Sequence, residues 1–177
     1  MQVGPAISLP TYRVFLSSGD DARDLRDRVD SLVTEAVNSQ LMHVGINLRL
    51  EVDRWERTAA ATNNPNESTN DQFVKRALDS NLTLALFRRK VGQGTREEIE
   101  ATLAADKSVS VLWFVPRKSK PKSEVARFLE PLADRLYYDK TGRPDEDESW
   151  HGIVKILFRL TLEGLKQHPK GPYFEER

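Results

Sequence analysis

Two stretches of this chain, Leu82 to Phe87 and Val109 to Val115, are apolar almost without interruption. Each is of strand length, and a strand without a polar face has to be covered on both sides. Parallel sheets sandwiched between helices meet that demand, so the two runs are expected to be central strands of such a sheet. Parallel neighbours cannot be joined by a hairpin and need a long crossover, commonly a helix. The intervening VGQGTREEIEATLAADKS supplies one, with Ile99, Thr102, Leu103 and Asp106 centred on one helical face.

The same alternation of periods runs through the rest of the chain. Tyr12 to Leu16 reads as a first strand. After Ser17, Ser18 and Gly19 come Ala22, Leu25, Val29, Leu32, Val33 and Ala36 at helical spacing. Ile46, Leu48, Leu50 and Val52 alternate with polar residues, which marks a second strand covered on one face or placed toward an edge. TAAATNNPNESTND reads as a loop before a short helix bearing Phe73, Val74, Ala77 and Leu78. Beyond Val115 come the basic loop PRKSKPKS, a helix with Val125, Phe128, Leu129 and Leu132, and a fifth strand at RLYYD. The acidic end of DKTGRPDEDES is placed to cap a final helix from about Trp150 to Lys166. That helix has one stripe of Ile153, Val154, Leu157 and Leu160 and a second of Phe158, Leu162 and Leu165, which reads as deeper core or as a partner-binding face. The expected fold class is α/β: a single open, flavodoxin-like parallel sheet of about five strands with helices on both faces. The chain's 177 residues fit one domain, assigned to 11–167, with 1–10 as an N-terminal extension and 168–177 as a tail or linker.

Composition narrows the chemistry. Lysine plus arginine equals aspartate plus glutamate at 27 each, so no global field favours nucleic acid or an anionic membrane. PRKSKPKS contains no aromatic residue for base stacking and reads as a solvated turn. The absence of cysteine excludes disulfides, thiolate nucleophiles and thiolate metal sites, and suits a reducing compartment. His43, His151 and His168 are scattered, so no metal site is expected. No basic region precedes a long apolar core near residue 1, and no apolar run approaches spanning length, so the expected location is the cytoplasm.

Ligands of an open parallel sheet lie beyond the carboxyl ends of its strands. There the chain offers Ser17, Ser18 and Gly19, suited to phosphate or ribose oxygens unless Ser18 or Asp20 caps the next helix. Trp55, with Glu56 beside it, either stacks on a base or closes the core. Arg88 and Arg89 either meet a pyrophosphate or are solvated loop charges. Thr95 and Glu98 spell a capping box, T-x-x-E, in which the carboxylate would reach back to the backbone amide of the cap. Helical projection turns Glu97 toward water and leaves Glu98 on the shoulder between core and solvent, where it can instead point into the crevice.

YRVFLSSGDDARDLRDRV, LRLEVDRWE and NLTLALFRRKVGQGTREEIEATLAADKSVSVLWF together resemble the TIR-like domains of bacterial defence and signalling proteins, a branch of the Toll/interleukin-receptor superfamily. The similarity spans roughly residues 11 to 116. In active TIR domains a glutamate early in the helix after the third strand is catalytic, three positions after a cysteine or small polar residue; Glu98 and Thr95 take those places. The resemblance implies cleavage of the nicotinamide ribosyl bond, by hydrolysis of NAD or by cyclisation of ADP-ribose, with NAD as substrate rather than cofactor. It further implies a homo-oligomer or other TIR-like signalling partners, for which the Phe158, Leu162 and Leu165 stripe or the neighbouring helices are the expected surface. Two alternatives remain open: a catalytically inactive TIR-like interaction module, and a nucleoside deoxyribosyltransferase-like enzyme, whose related fold also sets a glutamate beside a ribose.

Overall fold

The computed structural model describes residues 9–54, 68–115, 123–141 and 147–167. Strand β1 (Thr11–Ser18) leads through a 3-10 turn (Asp20–Ala22) into α1 (Arg23–Leu32), a π-helical turn (Val33–Val37) and α2 (Asn38–His43). Then follow β2 (Arg49–Asp53), α3 (Thr69–Asp79), β3 (Leu82–Phe87), α4 (Gln93–Ala104), β4 (Val109–Phe114), α5 (Glu124–Leu129), a 3-10 segment (Glu130–Arg135), β5 (Leu136–Thr141) and α6 (Asp147–Gln167).

The five described strands form one sheet in the order β2-β1-β3-β4-β5, every neighbouring pair parallel. The expected flavodoxin-like α/β class and strand order are both present. β3 and β4 are buried along their whole length, as strands apolar on both faces require. Pleating divides the core into two layers. Val14, Leu16, Leu84, Leu86, Leu112 and Phe114 face the helices on either side of the π turn and α6, while Ala85, Phe87, Val109, Val111 and Trp113 face α4 and α5. Helix α3 packs beside α4.

The sheet edge at β2 explains that strand's alternating pattern. Its burial alternates with Leu50 and Val52 inward, and its outer rim is partly closed by a side chain. Asn38 Nδ2 donates to Leu50 O at 3.1 Å, and Leu50 N donates to Asn38 Oδ1 at 2.7 Å. The carboxamide thus substitutes for one residue of a missing neighbour strand. The π turn has a related cause. Val29, Val33, Val37 and Leu41, all fully buried, recur every four residues, which on a regular helix of about 3.6 residues per turn would spiral off the core face. A wider π turn in their midst keeps the stripe facing inward.

Several boundaries differ from those expected. β1 is longer, so Ser17 and Ser18 are its last two residues, paired with Ala85 and Leu86, rather than part of a turn. Helix α4 starts at Gln93 with Gly92 as its N-cap and stops at Ala104. Asp106 therefore leaves the helical face and takes a left-handed conformation, φ 56°. In α6, Leu165 is buried and Phe158 packs half-buried against the same core, while Leu162 is half-buried, so part of this stripe closes the protein's own interior.

The carboxamide of Asn38 is the test of the edge device. Asn38→Ala should cost about 1–3 kcal/mol, the usual penalty for stranding a partly buried donor and acceptor. Urea unfolding monitored by circular dichroism measures it, and a loss near zero would mean that water replaces both bonds.

Candidate active site

In the order β2-β1-β3, the chain leaves β1 in one direction and returns on its other side at β3. Crossovers from these two strands therefore lie on opposite faces, and a crevice opens between their carboxyl ends, the usual ligand position in such sheets. Two loops meet there through their backbones. A Cβ added at Gly92 would stand 3.6 Å from Gly19 Cα, and one added at Gly19 would stand 3.2 Å from Asp21 Oδ1. Glycine at both positions keeps this approach free of side-chain atoms.

The loop entering α4 is fixed from three sides. Arg89 N donates to Asp21 Oδ2 at 3.1 Å, Val91 N to Glu124 Oε1 at 3.1 Å, and Trp113 Nε1 to Arg88 O at 3.2 Å. These contacts set where the helix begins, and that start overrides the capping box expected from T-x-x-E. Thr95 is the third helical residue instead of the cap, and is buried beside Gly92. Glu98, in the second turn, is too far along the helix to reach a cap amide and turns toward β1.

There it meets Ser17. Pleating points Leu16 into one core layer and Ser17 to the opposite face, under α4, where Ser17 Oγ donates to Glu98 Oε2. Both are enclosed, with Ser17 1 % and Glu98 7 % exposed. Burial pushes the Glu98 carboxyl from an ordinary 4.5 up to about 7; the Ser17 hydrogen bond draws it down, the neighbouring Glu97 adds to the rise, and Arg26 opposes it. Glu97 accepts from Gln93 Nε2 at 2.6 Å on the outer side of the helix, as its projection implied.

Sequence reasoning missed Arg26. It is fully buried, and its Nη1 donates to Ser18 Oγ at 2.6 Å and Gly19 O at 2.9 Å, holding the end of β1 that carries Ser17. The signal was present, because Arg26 lies four residues after Ala22 and three before Val29, inside the apolar stripe of α1. Its contact also bears on the alternatives for Ser18. The Ser18 hydroxyl is occupied by arginine, and neither Ser18 nor Asp20 caps the helix, since Gly19 opens the 3-10 turn without a side-chain cap. Arg88 is likewise engaged, donating to Asp24 Oδ2 at 2.6 Å and to Asp21 O at 3.2 Å, so it serves as a loop latch. The Arg89 side chain is exposed. Trp55 and Glu56 lie outside the described residues, as does most of PRKSKPKS.

Chemically the site is one desolvated carboxylate with one hydroxyl donor. It can stabilise developing positive charge, accept a proton, or attack an electrophilic carbon. Among the described residues no group of three histidine, aspartate or glutamate side chains is arranged to hold a metal ion, and no helix is long and apolar enough to cross a membrane.

No family model and no curated protein matches the sequence. Among solved structures, the chain is similar to the CMP N-glycosidase BcmB of Clostridium botulinum, with 19% identity and a TM-score of 0.45 over 80% of this chain and 97% of that one. It is also similar to the sugar isomerase domain of an RpiR transcription factor from Sphaerobacter thermophilus, with 12% identity and a TM-score of 0.40 over 90% and 72%. Similarity at this level speaks to neither substrate nor activity.

Burial of Glu98 has a measurable cost. Because its folded-state value lies above the unfolded one, the unfolded chain loses the proton first, and stability falls as pH rises from about 4.5 to about 7. Below that window both states are protonated and the penalty vanishes. Glu98→Gln should therefore be more stable than the parent at pH 8 by up to about 3 kcal/mol, with the gap closing toward pH 4.5. Urea unfolding at the two pH values checks this; a variant less stable at pH 8, or a gap independent of pH, would contradict it.

Proposed function

We propose that this protein cleaves the N-glycosidic bond of a nucleotide, with Glu98 as the carboxylate facing the ribose and NAD as the nucleotide. The observation that carries this reading is the burial of Glu98 against Ser17 at the junction of β1 and β3. A glutamate serving only as a helix cap would stay near the first-turn amides and keep its solvation. This one gives up water at a free-energy cost, in the position where parallel sheets take ligands. The choice of NAD rests on the resemblance of residues 11 to 116 to TIR-like domains.

The chemistry follows from charge. Nicotinamide in NAD is a pyridinium, and as its bond to C1′ breaks the bonding pair passes to the ring nitrogen. Neutral nicotinamide departs and positive charge appears on the ribose. A carboxylate near C1′ gains attraction as that charge moves toward it, which is stabilisation specific to the transition state. Low local polarity strengthens the interaction, while the Ser17 hydroxyl holds one carboxylate oxygen in place. Water then adds at C1′, and Glu98 can receive its proton. Nicotinamide needs no strong acid to leave, so a single carboxylate suffices where ordinary glycosidases use two.

Rates and pH profiles of the parent and two variants test the reading. Glu98→Gln should remain folded and release nicotinamide from NAD at least about 100-fold more slowly, roughly 2.7 kcal/mol of lost stabilisation. Glu97→Gln should keep a near-parental rate. The parent's rate should rise with pH through about 7, because the ionised form of Glu98 is active. In Glu97→Gln that rise should move to lower pH, since Glu97 helps to lift the value of Glu98. Cleavage of deoxynucleosides in place of NAD would transfer the assignment to a deoxyribosyltransferase-like enzyme. Equal activity of the two variants would leave Glu98 a structural residue and favour an interaction module.

A further inference from the structure

The first turn of α4 contains a glycine whose missing side chain exposes a second polar group beside Glu98. A Cβ added at Gly94 would lie 2.9 Å from Asn70 Oδ1 and 4.0 Å from Glu98 Oε1. The same small space is thus bordered both by a carboxamide from α3 and by a carboxylate oxygen of Glu98. That oxygen is not the one bonded to Ser17, which is Oε2. Asn70 is the second residue of α3, an eleven-residue helix whose N-terminus lies, with that of α4, at the carboxyl end of the sheet. Its helix is capped by Ser68, which accepts from Asp71 N, so Asn70 is not needed for capping. Half-buried, its carboxamide makes no hydrogen bond to another described residue.

From this convergence we infer that Asn70 contacts the substrate as a reader of ribose hydroxyls, which rests on the proposed glycosidic cleavage at Glu98. A vicinal diol has two groups, each able to donate and to accept. The ionised carboxylate only accepts, so it satisfies hydroxyl protons and leaves hydroxyl oxygens without donors. A carboxamide adds the missing donors together with a further acceptor. Gly94 is the condition for this pairing. Any side chain there would take up space that both oxygens border, and at 2.9 Å its Cβ would overlap the Asn70 oxygen. A sugar lacking the 2′-hydroxyl would leave the carboxamide unpaired on binding, so the device selects ribose over 2′-deoxyribose.

The test uses the full chain and two probes: NAD, and its analogue lacking the 2′-hydroxyl on the nicotinamide ribose. Asn70→Ala should lower kcat/KM for NAD by about tenfold or more, the order of one lost hydrogen bond, while the analogue changes little, so discrimination between the two collapses. Gly94→Ala should act in the same direction by displacing Asn70. An equal loss on both probes, or an unchanged ratio, would overturn the assignment of Asn70. Calorimetric titration of NAD into Glu98→Gln and into Glu98→Gln with Asn70→Ala supplies a readout independent of turnover. Weaker binding in the double variant, by about the same factor, supports the contact. Equal binding in both sinks it and leaves the role of Glu98 intact, whereas no NAD binding to the folded Glu98→Gln protein overturns both readings.

Discussion

A carboxylate withdrawn from water destabilises a protein unless something nearby favours its charge, and around Glu98 the compensation is incomplete. One hydroxyl donates to it and one buried guanidinium lies close enough to act on it, yet desolvation remains the larger effect. Much of the surrounding structure follows from holding such a group in place. Ser17 must arrive at the end of a strand, on the side of α4. The helix must begin where its second turn, and not its first, overlies that strand. Both requirements are met by side chains that grip loop and strand-end groups: Asp21, Glu124 and Trp113 hold the backbone before α4, and Arg26 holds the end of β1.

Helix α1 organises these contacts. Arg26 holds the Ser18–Gly19 end of β1, Asp24 receives Arg88 from the loop after β3, and Asp27 and Asp30 receive Arg54 from the end of β2. Arg76 of α3 ties to Asp53 on the same strand. An exposed pair such as Arg88 with Asp24 contributes little stability by itself. Their shared effect is geometric: one helix sets the carboxyl ends of three adjacent strands relative to one another. A site that works through electrostatics needs this, because its groups must already be placed when charge appears.

Most of the fold was legible in the sequence because the responsible forces are local and periodic. Continuous apolar runs announced the doubly covered strands, and alternation at Leu48, Leu50 and Val52 announced the edge. The π turn was not legible, since four-residue spacing over Val29 to Leu41 looks like an ordinary helical stripe until its drift must be reconciled with a real core surface. Leu165 and Phe158 looked surplus for a similar reason: how much of a helix is covered depends on its neighbours, which periodicity does not contain.

At the site the division is sharper. The sequence by itself determined that Glu98 lies on the helix after the third strand, near the crevice, with Ser17 at the end of the first. It could not determine where that helix starts. T-x-x-E describes a capping box correctly, and within an isolated segment the local hydrogen bonds would prevail. Here Asp21, Glu124 and Trp113, distant in sequence, fix the preceding loop and move the start to Gln93. That shift of three residues, from a cap at Thr95 to one at Gly92, carries Glu98 from a solvated cap to a buried partner of Ser17. Arg26 and Asn70 entered the same neighbourhood by tertiary contact alone. Side-chain identity and period belong to the sequence; which groups lose their water, and beside what, is decided only when separate elements pack.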